Sequence, residues 1–132
     1  MRIEYASVVY GPMLTASQSA TIERLQAVAM RTIWGWEKKY DDCLELSGLA
    51  RLDERRARAL ESFARKTQQN PRYEHWFPTN NNHAYDLRHR EALQIKFAKH
   101  ERLKKTPIYA MRRILNGDTT TITRGDEEDL DD

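Results

Sequence analysis

The chain has little cysteine, little glycine and few large apolar residues, and each shortage excludes particular folds or binding sites. Cys43 is the single cysteine among 132 residues, which excludes an intrachain disulfide framework and fits a reducing compartment. Only five glycines are present, and none lies in a Gly-rich phosphate loop. Leu, Ile, Val and Phe together number 25, near the lower limit for globular domains. We therefore expect one domain with a thin core.

A long hydrophobic run is also missing. Arg2, Glu4 and Tyr10 interrupt the apolar residues at the N-terminus, so this stretch differs in composition from a signal peptide. No other run approaches the roughly 20 apolar residues of a membrane-spanning helix. The sequence predicts a soluble intracellular protein that does not contact a membrane.

Catalytic and metal-binding motifs are not found either. His75, His83, His89 and His100 lack the short paired spacings of zinc sites, and a single cysteine cannot complete a ligand set. We find neither an activated nucleophile nor a paired acid and base. We therefore predict no catalytic residue, no metal, no cofactor and no small-molecule substrate. Cys43 is interpreted as a small core residue.

The triplet Tyr40-Asp41-Asp42 resembles the paired aspartates with which polymerases hold two metal ions. Its surroundings do not fit, because Lys38-Lys39 precede it, helix-forming residues follow it, and the polymerase pattern needs one more residue after the tyrosine. We instead predict that Asp41 caps a short helix ended by Gly48, and that Asp53 caps the next helix.

The spacing of apolar residues predicts an all-α fold, a small bundle of about four to five helices joined by short loops. Thr15 and Gln18 form a capping box that opens one helix, and Gly35 ends it. A second long helix runs from Asp53 to about Gln68. The predicted apolar faces are Ile22, Leu25, Val28, Ala29 and Ile33 on the first helix, and Leu52, Ala59, Leu60, Phe63 and Thr67 on the second.

The remaining segments are shorter or less regular. The N-terminal residues have helical spacing up to Gly11-Pro12, although Val8-Val9 also suits a strand. A polar connection is expected near 70–84. Residues 86–100 fit a helix and an extended segment equally well, and the sequence leaves both open. The last helix begins at Thr106-Pro107 and closes at Asn116-Gly117. Residues 1–117 should form a single domain and residues 118–132 a disordered acidic tail.

Several side chains carry specific predictions. Trp34 and Trp36 should anchor a helix corner in the core. The aromatic residues of the polar connection should fasten it to the core rather than stack on bases, and these are Tyr73, Trp76 and Phe77. Arg56 falls within the apolar stripe of its helix. Since an unpaired buried guanidinium is costly, we predict a structural clamp to a carboxylate or to open carbonyls at a neighbouring helix end.

The charge is distributed unevenly along the chain. Residues 1–117 carry 21 Lys and Arg against 13 Asp and Glu, whereas residues 118–132 carry 1 against 7. A basic body suggests a polyanionic partner. The predicted nucleic-acid-binding residues are Arg51, Arg55, Arg58 and Arg65, on a ridge opposite the apolar face of their helix, and Arg88, Arg90, Lys96, Lys99, Arg102, Lys104 and Lys105. The acidic tail would compete for this surface.

Three stretches, in this order, resemble the region after the palm of non-LTR, LINE-type retrotransposon reverse transcriptases: Tyr5–Thr15, Ile22–Arg31 and Leu46–Arg56. Pro107–Asn116 resembles the end of the same family's helical region, so the likeness covers about residues 5–117. The resemblance implies thumb and post-thumb helices, which grip a template and primer duplex through its backbone. The fingers and the catalytic palm would lie upstream of Met1.

Together these observations predict a non-catalytic fragment of a reverse transcriptase-like protein that binds the backbone of RNA or DNA without sequence preference. The alternative is a helical interaction module whose exposed apolar face contacts a protein partner. A third interpretation is a non-functional relic of a mobile element.

Overall fold

A computed structural model of the chain describes residues 4–79 and 93–117, and in these ranges the fold is all-α. The α-helices are α1 (Ser7–Tyr10), α2 (Ala16–Trp34), α3 (Tyr40–Ser47), α4 (Leu52–Gln68), α5 (Glu101–Lys104) and α6 (Pro107–Leu115). Short 3₁₀ helices at Gly11–Met13 and Pro71–Trp76 follow α1 and α4. The predicted small helical bundle is confirmed. The acidic stretch 118–132 and residues 80–84 of the predicted polar connection lie outside the described residues.

Two of the predicted helix ends are confirmed in atomic detail. Thr15 Oγ1 accepts the backbone N–H of Gln18 at 3.2 Å, and the Gln18 side chain accepts the Thr15 N–H at 3.0 Å, which completes the capping box. Gly35 follows α2 with φ 108°, and Gly48 follows α3 with φ 66°. Side chains other than glycine rarely adopt this backbone conformation, so both helices stop where the glycines stand.

The two predicted aspartate caps are wrong. Asp41 lies inside the first turn of α3, whose N-cap residue is Lys39. Asp53 lies inside the first turn of α4, where its side chain accepts the N–H of Glu54 at 2.8 Å. Arg51 is the N-cap residue of α4, and its side chain forms no capping hydrogen bond. The first free N–H of α4 is instead satisfied by a carboxylate from α2.

The apolar face predicted for α2 is wrong. The buried residues of α2 are Ser19, Glu23, Gln26, Ala27 and Met30. Leu25, Val28 and Ile33 point outward, and Ile33 is 72% exposed. The buried arc is therefore rotated by about a third of a turn from the predicted one. This leaves an uncovered stripe of apolar side chains, here called the α2 stripe and defined as Leu25, Val28 and Ile33.

The stripe of α4 is partly as predicted. Leu52, Leu60 and Thr67 are buried, but Phe63 is exposed and Ala59 is half-buried. The positions that replace them inside are Asp53, Arg56 and Ala64. The predicted tryptophan anchors also fail, since Trp34 is 40% and Trp36 is 65% exposed.

The core consists of two separate apolar clusters. The first joins α2 to α3 and contains Ala27, Met30, Tyr40, Cys43 and Leu44. The second contains Leu60, Ala64, Phe77, Leu93 and Met111, so it joins α4, α6 and the segments at either side of residues 80–92. Phe77 and Trp76 fasten their segment to this second cluster, as predicted. Cys43 is fully buried, also as predicted.

A buried polar network links the first cluster to the start of α4, the helix that also contributes to the second cluster. Glu23 of α2 is only 3% exposed. Its carboxylate accepts the hydroxyl of Tyr40 at 2.5 Å and the N–H of Leu52 at 3.1 Å, while Gln26 Nε2 donates to the same hydroxyl at 2.9 Å. Arg51 Nε lies 3.9 Å from the carboxylate. One carboxylate thus holds α2, α3 and the start of α4 together, and we call these groups the Glu23 network.

Within the described residues, no helix has the length and the apolar composition that crossing a bilayer requires.

The Glu23 network makes the stability depend on pH. Burial, and then the hydrogen bond to Glu23, raise the pKa of Tyr40 above its ordinary value. The unfolded chain therefore loses this proton first, so the contribution of Tyr40 is complete below about pH 10 and is lost as the pH rises further. We expect the free energy of unfolding to fall more steeply above about pH 10 in the wild type than in Tyr40→Phe, as measured by urea denaturation between about pH 8 and 11.

Tyr5→Phe is the matched control, because Tyr5 is 80% exposed. It should follow the wild type. A stability difference between wild type and Tyr40→Phe that stays constant over this pH range would contradict the predicted ionisation.

Candidate nucleic-acid interface

The four arginines predicted to form a ridge on α4 all pair with carboxylates of the chain. Arg51 lies 3.7 Å from Asp53 in addition to its contact with Glu23, and its guanidinium lies 6.0 Å from the ring centre of Tyr40. Arg55 forms an ion pair with Glu4 and donates to Gln26 Oε1 at 3.4 Å. These two arginines are half-buried and fasten α4 to its neighbours.

Arg58 and Arg65 are the exposed members of the ridge. Each pairs with a glutamate one turn earlier, Arg58 with Glu54 at 3.4 Å and Arg65 with Glu61 at 2.8 Å. Such pairs on a helix surface contribute only a few tenths of a kcal/mol. They do, however, cancel most of the positive field that a phosphate would meet. The ridge is therefore a weaker polyanion site than its arginines suggest.

A second basic region lies after the polar connection, where the backbone from Leu93 to Ala98 forms no helix before α5 begins at Glu101. The helical alternative is thus wrong for residues 93–98. Gln94 N–H donates to Pro78 O at 2.7 Å, and Thr79 and Leu93 form an isolated antiparallel bridge. We call residues 93–105 the basic segment.

Helix α6 holds the start of the basic segment through side-chain contacts to backbone. Asn116 Oδ1 accepts the N–H of Leu93 at 2.8 Å, and Asn116 Nδ2 donates to Leu93 O at 3.0 Å. Arg112 donates to Trp76 O at 2.7 Å and to Gln94 O at 3.2 Å. Three of these bonds satisfy backbone groups of Leu93 and Gln94 and the fourth fixes Trp76 O, so together they position the start of the basic segment.

The cations of the basic segment are mostly free of internal partners. Lys96, Lys99, Arg102 and Lys105 are exposed, and none has a carboxylate partner among the described residues. Lys104 is the exception, since it pairs with Glu101. The hydrogen bond and charge of Lys104 hold the pKa of Glu101 below its usual range, and Lys105 and Arg113 lower it further. Positive charge thus dominates this part of the surface.

Phe97 is an exposed aromatic residue of the basic segment, and its exposure was not predicted from the sequence. Its side chain is 93% exposed, between the cations Lys96 and Lys99. An exposed aromatic ring among cations is the arrangement on which single-stranded bases stack. Alternation did not indicate this exposure, because Leu93 and Phe97 belong to the same alternating series, yet Leu93 is 8% and Phe97 is 93% exposed.

Two further predicted binding residues, Arg88 and Arg90, lie outside the described residues. In residues 4–79 and 93–117, no three His, Cys, Asp or Glu side chains come together in a group that could hold a metal ion. The predicted site residues therefore divide into paired arginines on α4 and mostly unpaired cations on the basic segment.

Comparison of the chain with protein-family models, with curated proteins and with solved structures gave no match.

Proposed function

We propose that this chain is a non-catalytic, reverse transcriptase-like helical region that binds the backbone of RNA or DNA without sequence preference through its basic segment. The observation that carries the proposal is a set of four exposed cations that form no ion pair with a carboxylate of residues 4–79 or 93–117: Lys96, Lys99, Arg102 and Lys105. Each such cation releases condensed counterions when it meets a phosphate, whereas a cation already paired with a carboxylate gains less. The resemblance of residues 5–117 to LINE-type reverse transcriptases, and the all-α fold, support the same proposal.

The anchoring of the basic segment supports the proposal as well. Because Asn116 and Arg112 hold its backbone on α6, the cations that follow start from a defined position. A binding surface that is already ordered loses less conformational entropy when a ligand arrives. Contacts to phosphates alone carry no sequence information, so the expected binding is general.

The test compares two double variants that remove the same net charge. Lys96→Gln/Lys99→Gln removes unpaired cations, and Arg58→Gln/Arg65→Gln removes paired ones. Binding of the full chain to a labelled duplex and to a single strand is measured by fluorescence anisotropy across a salt series. The slope of log affinity against log salt should become shallower by about 1.4 for the single strand and about 1.8 for the duplex in the first variant.

The second variant is the matched control and should change the slope much less. Equal effects of both variants would refute the assignment of binding to the basic segment. A wild-type affinity that does not vary with salt, or no binding at low salt, would refute nucleic-acid binding itself.

A second candidate function is favoured by a different observation, the uncovered α2 stripe. Leu25, Val28 and Ile33 are apolar, share one side of α2 and are all exposed. Adjacent exposed apolar side chains on a helix are typical of surfaces that contact another protein. We therefore infer that the α2 stripe is a protein-contact surface, either in place of nucleic-acid binding or beside it.

Sedimentation velocity tests this second function. If the α2 stripe can mediate self-association, the wild type should sediment faster as its concentration rises. Ile33→Glu should abolish this concentration dependence. Ser17→Glu adds the same charge to an exposed position on the first turn of α2 and should behave as the wild type. A chain that stays monomeric at every concentration while binding duplexes firmly would count against the protein-contact function.

A further inference from the structure

A cavity of about 190 Å³ lies where α4, the 3₁₀ helix after α1, and α6 approach one another, beside the end of α5. Its apolar wall includes Pro12, Leu14, Leu60 and Ile114. A cavity of about 150 Å³ is enough to admit benzene, so this space suits a compact organic group rather than water alone.

Arg56 contributes the deepest charge to the cavity wall. The residue is 7% exposed, and its Nη2 donates to the hydroxyl of Ser19 at 2.7 Å. The predicted clamp to a carboxylate or to helix-end carbonyls is not found within residues 4–79 and 93–117, where Nη1 is buried without a hydrogen-bond partner. A buried guanidinium whose described partner is a neutral hydroxyl lacks a counter-charge, which is costly to the folded state. An anion in the cavity would supply that counter-charge.

The other charges that line the cavity leave it positive. Lys105 and Arg113 lie on its wall and form no ion pair with a described carboxylate. Its two acidic residues are committed elsewhere, Asp53 beside Arg51 at 3.7 Å and Glu61 to Arg65 at 2.8 Å. Three cations, including Arg56, thus surround one small space without a close ion pair to a described carboxylate. A phosphate group, with about two negative charges and three acceptor oxygens, matches this set better than a single carboxylate does.

We propose that this cavity binds a small organic monophosphate, with its compact apolar body against Pro12, Leu60 and Ile114 and its phosphate toward Arg56, Lys105 and Arg113. The site is separate from Lys96 and Lys99 of the basic segment and does not depend on nucleic-acid binding. Nothing in the sequence motifs indicates it, because its cations come from α4, α6 and the end of α5.

The experiment titrates the full chain with phenyl phosphate and follows backbone amide shifts by NMR. Saturable shifts are expected at Leu60, Ala110 and Ile114, which line the cavity. Inorganic phosphate and phenol should each bind at least tenfold more weakly, because one lacks the apolar body and the other the charge. Arg113→Gln should weaken phenyl phosphate binding about tenfold, the loss of one charge-assisted hydrogen bond.

Arg113→Gln is the variant used in the test. Arg56→Gln is unsuitable because Arg56 also donates a buried hydrogen bond to Ser19, so its loss risks unfolding the chain. Lys96→Gln/Lys99→Gln is the matched control and should leave phenyl phosphate binding unchanged while it weakens nucleic-acid binding. The proposal is overturned if phenyl phosphate does not saturate, if Arg113→Gln binds it as well as the wild type, or if phenol binds equally well. Each of these results leaves the proposal for the basic segment standing.

Discussion

The arrangement of this domain depends on one buried carboxylate. Glu23 accepts hydrogen bonds from Tyr40 on α3 and from the first N–H of α4, and Arg51 lies beside it. A buried carboxylate is tolerated only when such donors surround it, so the three helices must keep these positions together. The chain has too few large apolar residues to fill this space with a continuous core. Two small apolar clusters and the Glu23 network take its place.

The same carboxylate explains which surfaces remain free. Since Glu23 and Gln26 must face inward, α2 turns its polar arc to the interior and leaves Leu25, Val28 and Ile33 outside. The ridge arginines of α4 form ion pairs with carboxylates of the chain. Most cations of the basic segment lack such a partner among the described residues, because Glu101 is the sole carboxylate between residues 93 and 105. The candidate functional surfaces are therefore formed mainly by side chains that take no part in the internal ion pairs.

Local signals predicted the helices well and their inner faces poorly. The capping box at Thr15, the glycines at positions 35 and 48, and Pro107 act on adjacent residues, so the sequence alone shows them. Which arc of a helix is buried depends on distant partners. The bond from Leu52 to Glu23 spans 29 residues, and no periodicity within α2 indicates it. The pairing of Arg55 could not be predicted for the same reason, since its partner Glu4 lies 51 residues away.

The measurement that tests the central role of Glu23 is the free energy of unfolding of Glu23→Ala beside that of Glu45→Ala. Removal of Glu23 leaves the Tyr40 hydroxyl and the Leu52 N–H without their acceptor and takes away one of the two carboxylates beside Arg51. The account predicts a loss of about 3 to 5 kcal/mol, a large part of the stability of a small domain. Glu45 is an exposed residue of α3, and its removal should change stability by less than about 0.5 kcal/mol. Equal, small losses in the two variants would contradict the account.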